Sequence, residues 1–280
     1  VRICSLASGS SGNATYIASE RTSILVDCGT SAREVEARLA SIEVDPAEID
    51  AILITHAHTD HYRCAGTLNA RYGIPVHVDP STARAIRSRD RWTSWKRLRE
   101  TMPIPDHVGD IEVRALDTSH GFPARDGRTV AYLFKNRGRR VGVVTDLGKP
   151  TRGLVAALKG VDAIVLEANY DEEVLRDKLS DPGFAGDWRY LEWVASEMGH
   201  LSNSQCAQIL SEILDDGSAH VFIGHVSENH HDPRQDNNES EHAMRVIRGL
   251  LARDGLPAPH LHRTYRIGRD ASKASRVIVV

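Results

Sequence analysis

At 280 residues, with 41% hydrophobic and 26% charged side chains, the chain is long enough to bury a substantial core, and one large α/β domain is expected rather than two small ones. A formal charge of −3 excludes a generally basic nucleic-acid-binding coat but leaves room for a local basic patch. No apolar run approaches the roughly 18 residues that cross a bilayer, no basic-then-apolar leader opens the chain, and four scattered cysteines without a Cys-x-x-Cys pair point to buried free thiols, so a cytoplasmic location without membrane contact is expected.

Arg2 to Leu6 starts as a strand and breaks into Ala7-Ser8-Gly9-Ser10-Ser11-Gly12-Asn13, seven small residues suited to a tight loop with exposed backbone N–H groups. This loop suits either an anion or a plain turn, and it lacks the lysine of a P-loop. Thr15 to Ile17 and Ser23 to Val26 read as a strand pair. Asp27 ends the second strand ahead of a helix opened by Thr30 or Ser31, with Val35 and Leu39 at i, i+4 spacing. A carboxylate there is either a cap on the approach to the helix or a partner for a metal-binding histidine.

Ile49 to Ile54 is a short apolar run that reads as a buried strand. It delivers Thr55-His56-Ala57-His58-Thr59-Asp60-His61, which packs three histidines and a carboxylate into six positions. His56 and His58, two apart, can face one pocket while Asp60 and His61 turn toward a neighbouring position. Imidazole with carboxylate suits zinc, manganese or iron, and a histidine-rich surface loop is the alternative.

His-x-His-x-Asp-His after a strand resembles the signature of the metallo-β-lactamase fold superfamily. The resemblance implies a four-layer αββα sandwich that binds two divalent metal ions, with three more ligands at strand ends further along. Tyr62 to Tyr72 has helical composition, Gly73 suits its C-terminal cap, and Ile74 to Val78 is a further strand. From Arg84 to Arg99 the chain carries seven basic residues and one acid, with Trp92 and Trp95 interleaved. That segment is either a nucleic-acid surface or a solvated helix face with its tryptophans turned inward.

Ile111 to Leu116 alternates as a half-buried strand and leads to His120, where the resemblance places the next ligand. Val130 to Phe134 and Arg140 to Val144 form a hairpin across Asn136-Arg137-Gly138, and the second strand leads to Asp146, matching the aspartate that bridges the metals in the family. Val161 to Leu166 is a buried strand that ends at Glu167-Ala168-Asn169. The charged stretch from Glu172 to Trp193 resembles a helical excursion. A helix over Ser204 to Leu214 follows, then His220 to Gly224 as the last core strand, with His225 at its end as the remaining ligand. Glu239 to Leu251 reads as an amphipathic helix and Arg276 to Val280 as an edge strand.

The resemblance thus implies His56, His58 and His120 on one metal, Asp60, His61 and His225 on a second, and Asp146 between them. A water shared by two such cations loses a proton near neutral pH and becomes the nucleophile, and ions about 3.5–4 Å apart clamp both oxygens of a phosphoryl displacement. Gly199-His200-Leu201-Ser202-Asn203, with Thr145-Asp146-Leu147-Gly148, Glu167-Ala168-Asn169 and Gly224-His225-Val226-Ser227-Glu228-Asn229, is similar to the YycJ (WalJ) family, associated with 5′-to-3′ exonuclease activity on DNA. That likeness implies Asp60 and His200 as catalytic residues, His200 as a proton donor to the leaving group or an oxyanion contact, and Asp27, Ser202, Asn203 and Asn229 as phosphate or ligand-supporting contacts.

The stretch from Asp146 to His200 is too short for the β-CASP insertion of related nucleases, so residues 1–280 are expected to form one hydrolase domain acting on nucleic acid, DNA ahead of RNA. Two departures bear on the substrate: Tyr170 stands where relatives often carry histidine, and Asp181 to Trp193 lacks a basic run. A glyoxalase-II-like or lactonase-like hydrolase of small esters or thioesters is the alternative.

Overall fold

Strands whose residues are apolar on both faces must be covered on both faces, and that pattern governs the architecture. The computed structural model describes residues 1–184, 186–227, 239–265 and 274–280. Its strands are β1 (Arg2–Ala7), β2 (Ala14–Ala18), β3 (Ser23–Val26), β4 (Ala51–Leu53), β5 (Val76–His77), β6 (His107–Val108), β7 (Ile111–Asp117), β8 (Val130–Asn136), β9 (Arg139–Val144), β10 (Ala163–Glu167), β11 (His220–Gly224), β12 (His260–His262) and β13 (Ile278–Val279). They form a six-stranded sheet in the order β13-β1-β2-β3-β4-β5 and a seven-stranded sheet in the order β12-β11-β10-β9-β8-β7-β6.

Successive residues of each strand enter different cores. On β3, Ile24 and Val26 face the other sheet while Leu25 faces helices; on β10, Ala163 and Val165 face the other sheet while Ile164 and Leu166 face helices. Tyr132 and Phe134 of β8 and Phe222 of β11 fill the space between the sheets with Ile3, Ile17 and Leu53. Helices Ala32–Ala40, Ala65–Tyr72 and Pro80–Arg89 cover the first sheet, and Arg152–Leu158, Asn203–Ile213 and Glu239–Arg253 cover the second. The result is the four-layer αββα sandwich expected of the sequence. Each fully buried Leu, Ile or Phe contributes about 1.5–3 kcal/mol of transfer free energy, so the strand ends rest on a well-supported frame.

Several elements differ from the sequence reading. The helix expected over 62–72 divides into Thr59–Tyr62 and Ala65–Tyr72, with Gly73 closing the second at φ 73°. β11 is not the last strand of its sheet, because β12 pairs beside it in parallel. Three residues with histidine at both ends offer no apolar run to read. The basic stretch is a helix ending at Arg89 followed by a 3-10 turn, Ser94–Arg97, and its tryptophans part company: Trp95 is 1% exposed and Trp92 93%. The four cysteines are free and buried, as expected, and among the described residues no helix is long and apolar enough to cross a membrane.

Topology sets where chemistry can occur. β3 and β4 run parallel, as do β9, β10 and β11, so the loops after their last residues emerge at common edges. Tyr132 Oη donates to the Ile54 carbonyl (2.8 Å) and Val130 N to the Thr55 carbonyl (3.1 Å), joining the two edges. Gly29 is the tightest point nearby: a Cβ there would lie 1.5 Å from the Asp60 carbonyl oxygen. Gly29→Ala is therefore expected to force the loops apart and destabilise the protein by about 1–3 kcal/mol, read as a lower urea midpoint; an unchanged midpoint would contradict this packing.

Candidate metal centre

Five strand ends supply the site. The turn after β4 carries His56 and His58, its short helix carries Asp60 and His61, and the loop after β7 carries His120. Asp146 follows β9, Glu167 ends β10 and His225 follows β11. Asp27 and His225 hold left-handed backbone at φ 61° and 47°, a conformation that costs a non-glycine residue roughly 1–2 kcal/mol. The chain is held there by hydrogen bonds: Asp27 N donates to the Leu53 carbonyl (2.9 Å) and His225 N to Ser8 Oγ (2.7 Å).

The donor atoms converge. Those of His56, His58 and His120 lie within 4.8 Å of one another, as do those of Asp60, His61 and His225. Asp146 touches both sets: Oδ2 is 3.1 Å from His61 Nε2, while Oδ1 is 3.6 Å from both His120 Nε2 and His225 Nε2. His56 Nε2 and His225 Nε2 are buried without a hydrogen-bond partner among the described residues, and Asp146 Oδ2 has no partner there beyond its ion-pair contact with His61. Leaving a buried polar atom unpaired costs about 1–3 kcal/mol, and such atoms gathered around one point fit a cation-binding site.

What holds the rings explains why these nitrogens point inward. His61 Nδ1 lies 2.7 Å from Asp27 Oδ2, and Asp27 is itself held by Thr55 N and Oγ1 (both 2.9 Å). His120 Nδ1 donates to the Gly199 carbonyl (2.6 Å), and His225 Nδ1 faces Glu167 Oε1 (3.0 Å). An acceptor on Nδ1 fixes that tautomer and leaves the Nε2 lone pair for a metal. His58 is turned the other way, its Nδ1 lying 3.2 Å from His120 Nε2. His200 Nδ1 is also on Glu167 Oε1, at 2.6 Å.

Burial pushes the His56, His58 and His120 imidazoles down, His120 to about 4, so these three are neutral. Burial would do the same to His61 and His225, but carboxylates prevail. Asp146, Asp27 and Asp60 hold His61 well above its ordinary value, and Asp146, Asp60 and Glu167 push His225 up to about 10. Conversely, burial opposes ionisation of Asp60 and Asp146, but the facing histidines hold both carboxyls well below their usual range. The site thus pairs protons on two histidines with two anions, and a divalent cation could replace those protons.

The structure brings together all seven residues expected to ligate metal, with Asp27 behind His61. Asp60 reaches outward, its side chain 20% exposed. Ser202 caps the helix Asn203–Ile213, its Oγ accepting from Gln205 N (3.1 Å) in a capping box. Asn203 is buried on the first turn, its amide without a partner among the described residues. Asn229 lies outside the described residues.

Three supporting residues escape the sequence reading. Glu167 is fully buried, and its Oε2 accepts from Leu147 N (2.8 Å) and Leu201 N (3.1 Å). Asn13 Nδ2 is 3.1 Å from His61 Nε2, and Trp193 packs edge-on against His120 and His200. Only Glu167 leaves a sequence signal, a lone acid closing an otherwise apolar strand.

The model of the Beta-lactamase superfamily domain matches residues 22–223. The chain is 28% identical over 261 residues to Exodeoxyribonuclease YycJ of Bacillus anthracis, covering 90% of this chain and 89% of that protein. It is 31% identical over 255 residues to Exodeoxyribonuclease WalJ of Streptococcus pneumoniae, covering 90% and 88%. Among solved structures, the metallo-beta-lactamase fold protein YhfI from Bacillus subtilis superposes with a TM-score of 0.64 at 13% identity, over 95% of this chain and 96% of that one, a likeness of fold.

The charge pairing has a pH signature. The folded value of His225, about 10, lies above its unfolded value of roughly 6.5. The stability it contributes is therefore complete below about pH 6.5 and is lost as pH rises toward 10. Asp60 and Asp146 are shifted down, so their contribution is present above the ordinary carboxylate range and lost as pH falls through it. In chelator-treated protein the urea midpoint is expected to fall between pH 7 and 10, and added zinc or manganese should flatten that fall, because a cation needs the deprotonated rings. A midpoint that stays constant over this interval without metal would count against the pairing.

Proposed function

The chain belongs to the beta-lactamase superfamily of hydrolases, and on that premise we propose that it is a two-metal phosphodiesterase, a DNA exonuclease working 5′ to 3′, with residues 1–280 acting as one unit without a β-CASP insertion. The observation that carries this reading is Asp146, whose two oxygens face both donor sets. His56, His58 and His120 would hold one divalent ion and Asp60, His61 and His225 the other, with Asp146 shared; zinc, manganese and iron all suit these donors. When bound, such a pair activates water and neutralises charge on a phosphoryl group. The names of the two curated relatives, both exodeoxyribonucleases, support DNA as substrate.

The chain's own residues then divide the remaining work. Glu167 accepts from Nδ1 of His200 and so orients the ring; as general acid the ring would carry a second proton, on Nε2, and give it to the departing oxygen. Trp193 packs on the same ring and restricts its rotation. Asp60, whose side chain is 20% exposed, would accept a proton from the attacking water. Asp27 fixes His61 and Ser202 caps the helix that follows His200, which makes their part supportive, while the Asn203 amide, unpartnered among the described residues, is free for a phosphate or ligand-supporting contact. Asn229 is kept as a phosphate contact.

Metal-loaded protein should cleave end-labelled single- or double-stranded DNA and leave a thioester panel untouched. Thioester turnover without DNA cleavage would overturn the reading in favour of a glyoxalase-II-like or lactonase-like hydrolase. His200→Ala should lower DNA cleavage about 10²- to 10⁴-fold with metal content unchanged; full activity would remove the acid role. Asp27→Asn should weaken metal affinity about 10- to 100-fold, measured by competition with a chromogenic chelator, and an unaltered affinity would contradict its supporting role.

A further inference from the structure

Beside His58 and Asp60 opens a cleft of about 470 Å³, within the size range of small-molecule sites, whose wall includes Ser10, Arg63, Arg89 and Trp92. Trp92 is 93% exposed, whereas Trp95, three residues on, is 1% exposed and packs edge-on against Tyr62 at 5.2 Å. An indole left in water forgoes the burial that its neighbour obtains, so Trp92 does nothing for the core. Its backbone is nonetheless fixed: the Asp90 carboxylate accepts from Trp92 N (3.3 Å), Thr93 N (3.1 Å) and Thr93 Oγ1. That engagement also keeps the Asp90 charge occupied within its own turn.

Two cations accompany the indole. Arg89 is held by Asp126 at 2.5 Å, and Arg63 is exposed with no ion pair among the described residues. Guanidinium groups bind phosphate oxygens, and indole faces bind bases by stacking, which any base allows because every base has a π-face. A second aromatic pair borders the other histidines: Tyr190, 48% exposed, stacks on Trp193 with ring centroids 5.9 Å apart. A base inside a duplex is stacked on both faces, so an exposed indole face engages an unpaired base or the outer face of a terminal pair, and only an unpaired base can also bring its own flanking phosphates to the adjacent guanidinium groups.

We propose that Trp92 is the stacking platform for an unpaired nucleobase of a single-stranded nucleic-acid end, with Arg63 and Arg89 holding the adjoining phosphates so that the strand leads to His58 and Asp60. This rests on the phosphodiesterase reading and adds to it the strandedness of the substrate. Trp92 acts here as a substrate-binding residue.

The test compares binding of a fluorescein-labelled, phosphorothioate-linked eight-residue thymidine strand with that of an abasic strand of equal length and charge, by anisotropy on metal-loaded protein. Wild type should bind the thymidine strand roughly 5- to 150-fold more tightly than the abasic one, the span of base–aromatic stacking. Trp92→Ala should lose most of that preference while binding the abasic strand as wild type does, and Trp92→Phe should keep most of it. With an exposed side chain the variants should fold, which metal content and circular dichroism verify. Equal preference in Trp92→Ala and wild type, or no preference in wild type, overturns the platform. Base preference without cleavage of any DNA supports the platform and removes the phosphodiesterase reading, whereas cleavage without base preference removes the platform alone.

Discussion

A carboxylate buried where the strand-end loops of the two sheets meet, Asp146, is the constraint from which the rest of the site follows. Taking an unpaired carboxylate out of water costs several kcal/mol even after relaxation, so it persists only where positive charge or strong donors surround it. His225 and His61 supply these from two separate strand ends. Bringing those ends together requires both sheets to be locked face to face, which the Tyr132 and Val130 contacts to the β4 edge accomplish. It also requires two residues, Asp27 and His225, to hold a backbone conformation that most side chains avoid. Strain of this kind survives where the surrounding structure over-determines it.

Much of this was legible from residue order because strands end where their apolar runs end. His56, His58, Asp60 and His61 announce themselves by density, and His120, Asp146 and His225 each stand just past a run that reads as a strand. What escaped is what depends on contact across the sandwich. Glu167 closes a strand like Asp146, but its partners His200 and His225 are far along the chain. Asn13 sits in a loop of small residues that reads equally well as a turn or an anion cradle, and only the fold sets it against His61. The basic stretch shows the same limit: two tryptophans in one segment look alike in sequence, yet packing of the 3-10 turn buries Trp95 and leaves Trp92 in water. β12 was missed because β-structure added at a sheet edge needs no apolar alternation of its own.

The two departures from the family pattern bear on the substrate side of the site. Tyr170 is buried beside the helices that carry Leu175, Leu191 and Val194, and its backbone pairs with Ser202, so it braces the segment that precedes His200. The stretch 181–193 carries a single cation, Arg189, and ends in the Tyr190–Trp193 pair. On the proposed nucleic-acid reading, aromatic faces near the histidines and cations near Trp92 would take the place of the basic coat that a chain of net charge −3 lacks. Recognition on such a surface depends on stacking and on a few placed guanidinium groups more than on long-range attraction.

The most direct test of the central claim is the metal stoichiometry of purified protein and of Asp146→Ala, by elemental analysis after removal of loosely bound ions. A carboxylate shared by two donor sets predicts two divalent ions per chain in the parent and loss from both positions in the variant. One ion in the parent, or two ions retained in the variant, would contradict a shared Asp146 and with it the two-metal account.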